Sequence, residues 1–148
     1  MKRCLLLLLV SVVLSSMVGC SGGGSKDAVQ SSLTSEPAVM ALAEQVGVTA
    51  NQAVGGLGAI LSLAKNKVSA EDFSKLTSGL PSAEKYMKAA GDMGVKGDDI
   101  KDAINLKDAY KKLGMSEQAV SAFSPAAINF VRSSGGEAAA GVLSSIGL

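Results

Sequence analysis

Apolar residues follow two patterns along this chain. From Leu5 to Leu14 they form one run interrupted only by Ser11, whereas from Ala38 onward they recur every three or four residues. The second spacing predicts helices with a buried face, because a 3.6-residue turn returns positions i, i+3, i+4 and i+7 to one side. Ala38, Leu42 and Val46 place a helix from Pro37 through Val46, with the proline in its first turn and Gly47 as its stop. Thr49 caps a second helix to about Lys67, on which Val54, Leu57, Ile60, Leu61, Ala64 and Val68 form a stripe. Ser69, with Asp72 three residues later, caps a third; Phe73, Leu76 and Leu80 are its buried edge and Pro81 ends it. Ser82 to Ala90 is a fourth, with Tyr86 and Met87 turned to the core, and Gly91 to Asp99 is the stretch with least order.

The pattern then resumes. Ile100, Ala103, Leu106, Tyr110 and Leu113 carry a helix to Gly114, with Asn105 as a candidate break. Ser116 caps a helix through Phe123, Ser124-Pro125 restarts another, and Ser134-Gly135-Gly136 breaks it before a last helix from Glu137 to Ile146. Period-two alternation is almost absent, so the expected fold class is all-α, a small bundle of about six to eight short helices. The expected division is a signal over residues 1–19, a flexible tether over 20–35 and a helical domain over 36–148. Gly55, Gly56 and Gly58 interrupt the second helix at a cost of about 1 kcal/mol each relative to alanine. Glycines so concentrated let another backbone come close, either as close packing within the domain or as a groove for a partner helix or ligand.

Charge narrows the functions. The chain has 14 basic and 13 acidic residues, and without Lys2 and Arg3 the remainder has 12 against 13. The lysines are interleaved with acids, so no clustered basic face for nucleic acid is expected. The chain contains no histidine and no tryptophan, and its two cysteines are Cys4 and Cys20. Histidine catalysis and the usual nitrogen and sulfur metal sites are therefore excluded, and no cofactor is expected.

The N-terminal segment has a positive start, Lys2-Arg3, then the apolar run, then Ser15-Ser16, in the proportions of a secretory signal and short for a membrane span. The following Met17-Val18-Gly19-Cys20 resembles the lipobox of bacterial lipoproteins, although leucine is more usual than methionine three residues before the cysteine. The resemblance implies cleavage between Gly19 and Cys20 and lipidation of the Cys20 sulfur, with acyl chains such as palmitate. One chain binds membranes marginally, at about 0.8 kcal/mol per buried methylene, whereas two or three give lasting attachment. Ser21 lacks the aspartate that retains such lipoproteins at the inner membrane, so the resemblance implies the outer membrane, facing the periplasm. The mature chain would then have no free thiol. Ser21-Gly22-Gly23-Gly24-Ser25-Lys26-Asp27 suits a flexible tether; it lacks the lysine–hydroxyl pair and preceding strand of a phosphate loop.

Other candidate chemistry is weaker. Asp92, Asp98, Asp99 and Asp102 offer oxygen ligands for calcium, but their spacing does not match an EF-hand, and Asp98 and Asp99 serve equally well at a helix N-terminus. Ser74-Lys75 and Glu71-Asp72 are the pairs an enzyme could use, yet neighbours on a helix diverge in direction. Met40, Met87, Met93 and Met115 suit either core filling or a hydrophobe carrier.

The segment Gly47-Val48-Thr49-Ala50-Asn51-Gln52-Ala53-Val54 is echoed by Gly114-Met115-Ser116-Glu117-Gln118-Ala119-Val120, as a duplicated hairpin or as two similar caps. Gly47-Val48-Thr49, Gly55-Gly56-Leu57-Gly58-Ala59-Ile60-Leu61-Ser62-Leu63-Ala64, Leu80-Pro81, Leu113-Gly114-Met115-Ser116 and Ser134-Gly135-Gly136 resemble the VcgC/VcgE-type family of bacterial proteins of unknown function, over about residues 40–148. That resemblance implies no activity and no ligand. The leading expectation is a non-enzymatic envelope lipoprotein, an interaction or structural module held to the membrane by its lipid, whose helical face or glycine-rich groove contacts an envelope protein or the membrane. The alternatives are a lipid or small-hydrophobe carrier and, behind it, an enzyme.

Overall fold

The computed structural model describes residues 26–148, and the bundle they form is organised around one helix. Seven helices follow in order: α1 (Lys26–Thr34), α2 (Pro37–Val46), α3 (Ala50–Lys67), α4 (Ala70–Gly79), α5 (Ala83–Asp92), α6 (Ala103–Lys112) and α7 (Glu117–Ser145), with a single 3₁₀ turn at Gly97–Asp99. No strand occurs among the described residues, so the all-α class holds.

Every other helix touches α3. From Ala53 to Ala64 all twelve of its residues are buried, more than three full turns. The predicted stripe is therefore only half of the buried surface: Ala53, Gly55, Gly56, Ala59 and Leu63 on the other faces are covered too. A helix that is apolar all round belongs inside a core. Ser62, the one buried polar side chain there, donates its hydroxyl to the Gly58 carbonyl at 2.8 Å and so needs no outside partner.

Caps set most of the boundaries. Thr49 and Gln52 form a reciprocal capping box at the start of α3, and Ser69, Asp102 and Ser116 accept backbone N–H bonds at α4, α6 and α7. Helix α6 thus begins at Ala103, after Asp102, and not at Ile100. Helices α2, α5 and α6 end alike, on a left-handed glycine followed by an apolar residue: Gly47-Val48, Gly94-Val95 and Gly114-Met115, with φ of 73°, 86° and 78°. In each the apolar residue's N–H reaches back five positions, to Ala43, Ala90 and Tyr110, at 2.9, 3.0 and 3.1 Å. The echo between the first and third segments is one helix exit used three times, and the second copy lacks the hydroxyl cap.

Three expectations are corrected. Residues 26–34 form helix α1, so the helical body begins ten residues earlier than the predicted boundary at 36. This helix is polar apart from few positions and too short to be stable alone; burial of Leu33, 1% exposed, against the bundle holds it. The remaining tether residues, 20–25, and the signal, 1–19, lie outside the described residues.

Pro125 does not restart a helix, since α7 passes through it. The carbonyl that loses its N–H partner belongs to Ser121, which like Pro125 is exposed, while buried Phe123, Ala126, Ala127 and Phe130 hold the helix on course. The predicted break survives at Gly136, whose φ of 80° and ψ of 176° bend α7.

The stretch Gly91–Asp99 is also better ordered than its composition suggests. Gly91 and Asp92 complete α5, and the 3₁₀ turn is held by the Asn66 amide, which donates to the Gly97 and Ile100 carbonyls at 2.9 Å each.

Candidate functional site

The three glycines of α3 lie where the bundle is tightest. A Cβ on Gly58 would overlap the Tyr86 carbonyl and sit 2.6 Å from the Ala90 Cβ, so α3 and α5 meet backbone to backbone. Gly56 faces the Phe123 ring edge, 2.6 Å from where its Cβ would be, and the Met115 methyl at 2.9 Å. Gly55 faces Leu113 and Met93 at 2.8 and 2.9 Å. The groove that these glycines would offer a partner helix is occupied by the chain's own side chains. A second backbone approach, unforeseen in the sequence, joins α4 to α7: a Cβ on Gly79 would come within 2.5 Å of the Gly135 carbonyl.

Amide side chains lock both ends of α3. Gln52 accepts from the Thr49 N–H at 2.9 Å and donates to the Leu113 carbonyl at 3.0 Å, closing α6 onto the start of α3. Asn66 does the same for the 3₁₀ turn at the other end. Tyr86 packs edge-on against Phe130 with centroids 6.3 Å apart, and Tyr110 against Phe123 at 5.2 Å, so α5 and α6 are both joined to α7.

The tyrosine hydroxyls are the perturbed titratable groups of the interior. Tyr86 donates to Glu36 at 2.6 Å, across fifty residues of sequence; burial first, then that carboxylate, pushes its hydroxyl well above the usual tyrosine range. Tyr110 shares a 3.3 Å hydrogen bond with Ser124, and burial raises it in the same direction. Both are thereby held neutral. Among the described residues no buried side-chain nitrogen or oxygen lacks a partner.

The acidic candidates do not converge. Asp102 caps α6, and Asp92 pairs with Lys88 at 3.0 Å. Among the described residues no three His, Cys, Asp or Glu are placed to hold a metal ion. Lys75 faces Asp72 at 2.9 Å, and this bond, followed by that from Ser69, holds the exposed Asp72 carboxyl below its usual range. Ser74-Lys75 and Glu71-Asp72 thus lie on an ordinary solvated helix face. Of the methionines, Met115 is buried, Met87 and Met93 pack partly against the core, and Met40 is 48% exposed.

Hollows among the described residues mark the outer surface. One, of about 200 Å³, lies between α2 and α7, with Ala38, Ala41, Leu42 and Gln45 facing Ala126 and Phe130, and no charged residue lines it. Another, about 100 Å³, has Lys96, Asp99, Asp108 and Lys112 around it. Among the described residues no single helix is long and apolar enough to cross a membrane. Gly19 and Cys20 lie outside the described residues.

These features define a class: a small all-α bundle wrapped around a buried, glycine-bearing central helix. The chain belongs to the family described as Protein of unknown function VcgC/VcgE (DUF2780), whose model matches residues 15–146. The match reaches further toward the N-terminus than the resemblance over 40–148 and includes both α1 and Gly19-Cys20. No curated protein matches the chain. No solved structure matches it.

Proposed function

We propose that this protein is an envelope lipoprotein, anchored through lipid on Cys20 at the outer membrane and facing the periplasm, whose helical body is a non-enzymatic interaction or structural module. The observation that carries this reading is the filling of the glycine face of α3 by Leu113, Met93, Phe123 and Met115. With the central helix sealed by its own chain, contacts with other molecules fall to the outer surface and the N-terminal anchor. The presence of Gly19-Cys20 inside the family match adds support to the anchor. A carrier of hydrophobes is less well supported, because the apolar hollow of about 200 Å³ is smaller than the roughly 300–1,000 Å³ of small-molecule sites.

Mass spectrometry of the mature N-terminus tests the anchor: an acylated Cys20 is expected, and an unmodified start would refute it. The Cys20→Ala variant should leave the membrane fraction. Crosslinking in intact cells should join the body to a defined envelope protein. Acyl chains retained by the purified body after delipidation would instead favour the carrier.

A further inference from the structure

We infer that the outer face of α2 lies on the lipid surface to which the protein is anchored, so that Pro37, Ala38, Met40 and Ala41 touch the bilayer. This rests on the anchor at Cys20 proposed above. Two observations point to it. The first is the start of α1 at Lys26, which leaves only Cys20 to Ser25, six residues, between the lipid and the folded body. Six residues reach at most about 20 Å even when fully extended. The body is therefore held against the head groups and not displayed at a distance.

The second is the chemistry of the helix that follows. The segment Pro37-Ala38-Val39-Met40-Ala41-Leu42-Ala43 has no charge, and while Val39, Leu42 and Ala43 point into the core, Pro37, Ala38, Met40 and Ala41 are exposed. The hollow beside them, toward α7, is also uncharged. Anchoring makes contact with the bilayer intramolecular, so a patch too small to bind membranes from solution is occupied at high effective concentration. No lysine or arginine lies on α2, and its one charge, the exposed Glu44, lies a turn beyond Met40 and Ala41, so the contact is made by apolar side chains and not by attraction to anionic head groups.

The test uses the full mature lipoprotein in phosphatidylethanolamine–phosphatidylglycerol vesicles, with an environment-sensitive fluorophore on Met40→Cys or Ala41→Cys. With Cys20 acylated, each variant presents a single thiol. Ile104→Cys on α6, 70% exposed, is the reference site outside α2. The expected result is a blue-shifted emission at 40 and 41, with several-fold stronger quenching by spin-labelled lipids than at 104. Emission at 40 and 41 as water-exposed as at 104, with Cys20 acylated by mass spectrometry, overturns the inference and leaves the anchor standing. A blue shift without lipid quenching also overturns it, since a second copy would then cover the face. An unacylated Cys20 removes the anchor and the inference together.

Discussion

Replacing Gly58 by alanine sets two energies against each other in one methyl group. Alanine gains about 1 kcal/mol over glycine in a helix interior. At Gly58 the new Cβ would overlap the Tyr86 carbonyl, a backbone atom that no rotamer change can move, with Ala90 on its other side. Overpacking of this kind costs about 1–3 kcal/mol, and because the two helices must separate, the cost belongs at the upper end. The expected net loss is about 2 kcal/mol, which at a urea dependence of about 2 kcal/mol/M lowers the unfolding midpoint by about 1 M. Gly56→Ala meets a ring edge and a methionine methyl, and Gly55→Ala meets only the flexible ends of Leu113 and Met93, so losses should fall in the order 58, 56, 55. Gly141→Ala, in α7 with no atom within 4 Å of the new methyl, controls for propensity and should gain about 0.5–1 kcal/mol. Urea titrations followed by circular dichroism give all four values. A Gly58→Ala midpoint at or above that of the parent protein would refute backbone contact between α3 and α5.

Leu33→Ala should cost about 3 kcal/mol as a core truncation and lower Tm by roughly 10 °C; no change would return residues 26–34 to the tether. Gly136→Ala should lose about 1–3 kcal/mol although no atom lies near the new methyl, because φ 80° with ψ 176° is open essentially to glycine alone. Stability should fall at alkaline pH: Tyr86 and Tyr110 have hydroxyls raised in the folded state, so their contribution is complete below the unfolded tyrosine pKa of about 10 and is lost as pH rises beyond it. Denaturant titrations from pH 8 to 11 should show this decline, reduced in Tyr86→Phe and Tyr110→Phe.

What the sequence by itself determined is local. Thr49, Ser69 and Ser116 were recognisable as caps, and Gly47 and Gly114 as stops, because the hydrogen bonds that make them so close within five residues. Hydrophobic spacing placed α2 to α6 for the same reason. The likeness of Met17-Val18-Gly19-Cys20 to a lipobox is equally local and makes Cys20 the candidate anchor. Only the tertiary structure decided the rest. The covered side of α3 carries glycine and alanine, whose burial leaves little trace in a hydrophobic pattern, and its encirclement depends on α5, α6 and α7 closing over it. Helix α1 exists because Leu33 finds a core built by later residues, and α7 runs through Pro125 because its packing outweighs one lost hydrogen bond. Glu36 and Tyr86, like Asn66 and Gly97, are joined across distances at which the chain carries no local pattern; folding alone brings them together.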